Sequence, residues 1–199
     1  TLMLKPDFNA DCAPMLTLVM ALAVAKGIRQ TLGRDSREAA AKVGIKWPND
    51  IVVDGKKVCG ILTEMSMEQG YIHHIVIGVG INVRRQEFSE EIRERAAAID
   101  EQSGFCISRS QLIADIMEAF EEDYEIFLQT HDLKGLRDSY AKLLLNQDRE
   151  VCVLDPKGEY RGIARGINDQ GELIVERQDG TVEEVYAGEV SVRGIYGYV

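Results

Sequence analysis

Three short segments carry side chains able to hold or polarise a ligand. Lys46-Trp47-Pro48-Asn49-Asp50 packs a cation, a large ring, a rigid φ, an amide and a carboxylate into one loop. A stable turn accounts for the same residues, with Trp47 anchored in the core and Lys46 solvated. In Lys57-Val58-Cys59-Gly60-Ile61-Leu62 a glycine interrupts an apolar strand, which suits close approach by another group. The lysine beside it also reads as an edge charge that blunts aggregation, a role Lys56 fills better. Gly78-Val79-Gly80-Ile81-Asn82 removes side chains from one patch of a strand face. That patch is either a ligand trough or the seat of a tightly packed helix. The last segment is not a dinucleotide fingerprint, because Val83 stands at the third glycine position and Arg84-Arg85-Gln86 opens no apolar helix. Walker, GxSxG and HExxH motifs are missing, and His73-His74 reads as one ring in and one out on a strand.

The elements that must position these segments follow from periodicity. Leu2-Met3-Leu4 reads as a short strand, and Asp11 and Pro14 stand where a helix begins. Residues 15–32 form a helix that is apolar nearly all round to Ala25 and stops at Gly33, the pattern of a core helix covering a sheet. Residues 35–42 add a helical turn. Asp54-Gly55 between two apolar runs predicts a hairpin, since it tolerates the positive φ values of a type I′ turn. Over 71–83, Ile75, Ile77, Val79, Ile81 and Val83 fall on one face and His74, Val76, Gly78, Gly80 and Asn82 on the other. Ser108 to Gln111 fits a capping box, followed by a helical stripe of Ile113, Met117, Phe120, Tyr124 and Phe127. Leu133, Leu136, Tyr140, Leu143 and Leu144 mark another helix over 132–144. From Glu150 onward, short strands separated by Asp-Pro-Lys-Gly, Asn-Asp-Gln-Gly and Gln-Asp-Gly turns predict a small all-β module of about five strands. The boundary falls at 146–149.

Composition narrows the function. The 199 residues carry 23 Lys and Arg against 33 Asp and Glu, a net charge of -10, with ordinary globular usage. An acidic chain without a basic run is a poor partner for nucleic acid. The longest unbroken apolar run, 18–25, is far short of the roughly 20 residues a bilayer span needs, and no signal peptide is visible. Cys12, Cys59, Cys106 and Cys152 are scattered without metal-ligand spacing, which fits reduced thiols in a cytoplasm.

Taken in order, KWPND at 46–50, KVCGIL at 57–62 and GVGIN at 78–82 closely resemble the biotin protein ligases. The resemblance extends over nearly the whole chain. It implies an α+β fold: a mixed sheet flanked by helices, like that of class II synthetases, over 1–147, and an SH3-like β-barrel over 148–199. The activity implied is ATP-dependent formation of biotinyl-AMP, followed by transfer of biotin to a lysine of a biotin carboxyl carrier protein of acetyl-CoA carboxylase or a related carboxylase. Lys57 takes the catalytic role, stabilising charge at the biotin carboxylate and α-phosphate. The implied biotin and ATP site comprises Lys46, Trp47, Asn49, Asp50, Lys57, Gly60, Gly78, Gly80, Asn82 and, from the C-terminal module, Arg193. Asn49 and Asp50 hold the loop near Mg²⁺, with Asp50 the candidate metal ligand. Pairing of two copies through their sheets is a form the family takes.

The family's GRGRxGR loop, which covers biotin and the phosphates, has no counterpart here, and neither does its optional helix-turn-helix. The expectation is the distal part of a longer ligase, with no operator binding by this chain. Two alternatives stand beside it: a lipoate or octanoate ligase, against which Trp47 and GVGIN speak, and a non-catalytic chain that binds biotin or pairs through a sheet edge.

Overall fold

β1 (Leu2–Leu4) leads into a loop whose Asn9 side chain accepts from the Asp11 amide at 3.2 Å, capping a 3-10 turn over Ala10–Met15. The computed structural model describes residues 1–155 and 158–187 and the backbone of 191–194. α1 (Leu16–Gly33) follows and is buried on almost every side, because strands within 43–68 lie against one flank and the helix over 109–130 against the other. Over Ala10–Gly33 the chain is long and apolar enough to cross a membrane by length and composition, contrary to the expectation drawn from its unbroken apolar run. The fold buries 72% of that window, as befits a helix enclosed by protein. α2 (Arg37–Ala41) is capped by Ser36.

The central sheet comprises β1, β2 (Val43–Lys46), β3 (Asp50–Val53), β4 (Lys56–Glu68) and β5 (Tyr71–Ile81), in the order β1-β5-β4-β3-β2. Every ladder is antiparallel, where a mixed sheet was expected. The connections explain three of the four ladders: three residues join β2 to β3, and two-residue turns at Asp54-Gly55 and Gln69-Gly70 join β3 to β4 and β4 to β5, lengths that permit only antiparallel return. Both dipeptides take positive φ at both positions, 49° and 79° in the first, as the hairpin signal requires. Among the described residues, parallel pairing occurs at two isolated bridges, Ile45 with Leu144 and Lys57 with Ala96.

α3 (Ile99–Ser103) is short, and α4 (Arg109–Thr130) starts at Ser108, whose hydroxyl accepts from the Gln111 amide. The expected stripe of α4 packs on the core at Met117, Phe120, Tyr124 and Phe127 but not at its start. Ile113 is exposed, whereas Leu112, Ile116, Ala119, Phe120 and Phe127 are buried together with Asp115 and Asp123. These two aspartates belong on the inner face because α1 supplies their partners: Arg34 and Thr31 for Asp115, Lys26 at 2.5 Å for Asp123. Gly27 of α1 lets the helices cross closely, since a Cβ there would lie 2.8 Å from the Ile116 backbone. α5 (Arg137–Ala141) is one short turn inside the expected helix, and the five apolar residues named for that segment are all buried.

β6 (Glu150–Leu154), β7 (Tyr160–Ile167), β8 (Leu173–Glu176), β9 (Val182–Val185) and β10 (Ser191–Gly194) form a second antiparallel sheet, ordered β10-β6-β7-β8-β9. Val151, Val153, Ala164, Ile167, Leu173, Val175 and Val185 make its buried side. Five strands are present as expected. Among the described residues β9 and β10 are edges that do not pair with each other, so the module is an open sheet rather than a closed barrel.

Candidate functional site

Lys57 and Gly60 are three residues apart, an odd spacing that places side chains on opposite faces of a regular strand. A β-bulge reverses this. Lys57 pairs with Val52 but Cys59 with Ile51, leaving Val58 as the extra residue. Lys57 therefore shares a face with Gly60, and Gly60 lies between Asp50 on β3 and Gly80 on β5. The Lys57 Nζ sits 2.5 Å from the Asp50 Oδ1, with the aspartate side chain only 13% exposed. A Cβ on Gly60 would come within 3.2 Å of both the Cε and the Nζ of Lys57, so the glycine gives the lysine room to lie across β4.

The same face continues over Gly78 and Gly80. A Cβ at Gly78 would meet the Leu62 carbonyl at 3.6 Å, and one at Gly80 the Gly60 carbonyl at 3.8 Å, both ordinary contacts. Among the described residues, no helix atom is among the neighbours that a Cβ on either glycine would meet within 4 Å. The bare floor is a trough rather than a packing seat. A cavity of about 440 Å³ stands at its end, lined by Lys57, Cys59, Gly60, Gly80, Asn82, Ile92, Arg95 and Ala96. Cys59 is buried beneath it, and burial, with Asp50 adding to the effect and Lys57 opposing it, pushes its thiol up to about 12. That thiol stays protonated at neutral pH and is no nucleophile.

The far wall comes from the segment after β5. The Lys57 amide donates to the Arg95 carbonyl at 2.8 Å and the Lys57 carbonyl accepts from the Ala97 amide at 3.0 Å. Asn82 is held by its amide, which donates to the Val58 carbonyl, and by Gln86 Nε2, which donates to its side-chain oxygen at 3.0 Å. Arg84 pairs with Asp100 at 2.7 Å and ties the start of this segment to α3. Ile92, Arg95 and Ala96 carry no motif. The one signal for them in the sequence is the clustering of arginines over 84–95 beside a glycine-marked strand.

Lys46, Asp50, Lys57, Gly60, Gly78, Gly80 and Asn82 are brought to one face; the register places Lys46 directly opposite Asp50. Asn49 stands beside them and brackets β4: its carbonyl accepts from the Ile61 amide at 3.0 Å and its side-chain Nδ2 donates to the Ile61 carbonyl at 2.9 Å. Asn49 faces a neighbouring hollow shared with Pro48, Leu62 and Thr63. Trp47 is 1% exposed and stands apart from the trough. Its indole Nε1 donates to the Gly171 carbonyl at 2.9 Å, and its backbone amide to the Asn146 Oδ1 at 3.0 Å. The backbone of Arg193 pairs with Cys152 in β6; its side chain lies outside the described residues.

Residues 1–82 match the biotin/lipoate A/B protein ligase family, and residues 148–193 match the biotin protein ligase C-terminal domain. Over 197 residues the chain is 36% identical to the bifunctional ligase/repressor BirA of Bacillus spizizenii, covering 96% of this chain and 57% of that protein. It is 27% identical to the biotin--[acetyl-CoA-carboxylase] ligase of Paracoccus denitrificans, covering 94% and 79%. The chain thus spans little more than half the length of the BirA relatives. Among solved structures, a mutant of the Aquifex aeolicus biotin protein ligase in complex with biotin superposes with a TM-score of 0.81 (26% identity, 97% of this chain, 76% of that one). The Aquifex ligase with biotin and ATP gives 0.78 at 27% identity and the same coverage. With both family domains in order on the two sheets, the chain belongs to the biotin protein ligase family.

Proposed function

We propose that the chain supplies the trough and the C-terminal module of an ATP-dependent biotin protein ligase, with the catalytic part over 1–147 and the C-terminal module from 148, working in a cytoplasm. One observation carries the reading: a lysine, paired with a carboxylate, laid over the bare end of a glycine-floored trough. Biotin lies along Gly78 and Gly80, its carboxylate toward Lys57, and the nucleotide extends past Asn82 toward Arg95. A carboxylate oxygen of biotin attacks the α-phosphorus of ATP, the bond to the β-phosphate oxygen breaks, and pyrophosphate leaves. Negative charge grows on the α-phosphate oxygens as it does so. The Lys57 ammonium, oriented by Asp50 before the substrates arrive, stabilises that charge without reorganising.

In the second step the neutral amine of an acceptor lysine attacks the acyl carbon of biotinyl-AMP. The C–O bond to the phosphate breaks, AMP leaves, and the amine loses a proton to solvent. The same ammonium faces the departing phosphate. The acceptor is a biotin carboxyl carrier domain, in keeping with the Paracoccus relative's name. β3 stops pairing with β4 at Gly60, so among the described residues no strand pairs with that edge of 62–68, on which a carrier strand or a second copy can lie.

Mg²⁺ would accompany ATP as its phosphate counter-ion. Among the described residues no group of three or more His, Cys, Asp or Glu could hold a metal ion. Asp50, the carboxylate beside Lys57, would be the residue to help hold the ion, whose chemistry would be to offset charge on the ATP phosphates. Arg193 as a nucleotide contact is proposed from the resemblance alone.

The matched family includes lipoate ligases, which makes the acid the point to test. Exchange of labelled pyrophosphate into ATP is measured with biotin, with lipoate and with no acid. Biotin-dependent exchange supports the proposal. Exchange with lipoate alone replaces it with the lipoate reading, and no exchange with either acid leaves a binding-only chain.

A further inference from the structure

We infer that Trp47 is a positioning residue through which the C-terminal module sets the placement of Lys57; the inference deepens the proposed ligase reading and rests on it for its catalytic meaning. The two hydrogen bonds of Trp47 lead to the end of the catalytic part and, through the indole, beyond it. Its backbone amide donates to Asn146 in the segment that leads to β6, and its indole donates to Gly171 in the turn between β7 and β8. That turn is itself fixed. The Asn168 side-chain oxygen accepts from the amides of Gln170 and Glu172, the Leu133 amide donates to the Asp169 carbonyl at 2.8 Å, and Arg137 pairs with Asp169 at 2.8 Å.

Gly171 has φ +81°, and a Cβ there would come within 2.9 Å of Leu133 and 3.0 Å of Leu18. The carbonyl offered to Trp47 is therefore held against α1 by close packing and has little freedom to follow the ring. From Trp47 the chain has three residues to Asp50. Asn49 clamps Ile61 on the way, and Asp50 holds the Lys57 Nζ. A shift of the indole passes along this short run to the carboxylate, because the Asn49 bracket makes loop and strand move together.

The test reads Lys57 directly and needs no catalysis. Trp47 is the single tryptophan of the chain, so biosynthetic replacement of tryptophan by benzothienylalanine changes that ring alone, exchanging the N–H for sulfur at nearly constant shape. Brief acetylation followed by mass spectrometry gives the rate at Lys57, normalised to the exposed Lys5 and Lys134. The expected result is a rise of about fivefold at Lys57, the factor that one lost hydrogen bond carries, with Lys5 and Lys134 unchanged. Trp47→Phe and Gly171→Ala are expected to raise it as well.

An unchanged Lys57 rate in the benzothienylalanine protein overturns the inference. So does an equal rise at every lysine, which marks general loosening. Failure of the ligase reading appears elsewhere, as absent pyrophosphate exchange in the unsubstituted protein, and leaves the labelling result standing on its own.

Discussion

The Lys57 ammonium and the Asp50 carboxylate meet at 2.5 Å although they come from different strands, and they meet because Val58 is bulged out between them and the regular ladder. The contact gives the lysine a fixed direction while leaving 37% of its side chain open to the trough. A group that must stabilise transient charge needs this combination of orientation and access.

Lys57→Ala is expected to lower biotin-dependent pyrophosphate exchange by about a hundredfold or more, the usual scale for losing one preorganised charge-stabilising donor. Thermal stability should hardly change, since the lysine is partly exposed. Asp50→Asn should reduce exchange less, because the ammonium stays and only its orientation is loosened. Steady-state exchange rates beside melting curves check both.

Gly80→Ala and Gly27→Ala are expected to separate function from stability. The Gly80 Cβ meets nothing closer than 3.8 Å, so the protein should fold normally while biotin affinity falls by about tenfold or more as the methyl group enters the trough. At Gly27 the Cβ would meet the Ile116 backbone, and the helices must part, at a cost of about 1–3 kcal/mol. Isothermal titration with biotin and urea unfolding distinguish the two.

The buried aspartates of α4 should differ in their response to pH. The Arg34 guanidinium, with Thr31 and Gln111, holds the Asp115 carboxyl down to about 2, whereas burial raises that of Asp123 despite Lys26. A depressed carboxyl contributes stability that is present above its unfolded pKa near 3.8 and is lost as pH falls toward 2. Asp115→Asn should therefore cost about 2 kcal/mol at pH 7 and almost nothing at pH 2. Asp123→Asn removes a desolvated charge and should cost less at pH 7. Urea midpoints between pH 2 and 7 check the sign of each.

Asn49→Ala should lower exchange without abolishing it, by about tenfold, because two bonds that lock the loop to Ile61 become one. Biotin affinity should change little, since Asn49 faces the adjoining hollow. A fall in both kcat and affinity would place Asn49 in the trough instead.

Much of this was legible in the residues. Asp54-Gly55 announced its hairpin because few other pairs tolerate two positive φ values, and the alternation over 71–83 separated the core face from the glycine face. The full width of the buried face of α4 was not legible, since Asp115 and Asp123 count as polar until Arg34 and Lys26 are seen opposite them. The trough wall over 84–96 was hidden for a different reason: it is held by backbone hydrogen bonds from Lys57 and Asn82, which any side chain allows. The partner of the Trp47 indole lies 124 residues away, beyond any local pattern.

The bulge at Val58 also makes the interval between Lys57 and Gly60 informative. On an unbroken strand, two positions that serve one face are separated by an even number, so a three-residue interval between cooperating residues records an irregular ladder. If the ladder were regular at the same length, with no residue bulged at Val58, the ammonium would turn away from Gly60 and into the hydrophobic interior. The placement of the ammonium therefore rests on the irregularity at Val58, and a chain that kept these letters on a regular ladder would lose its chemistry.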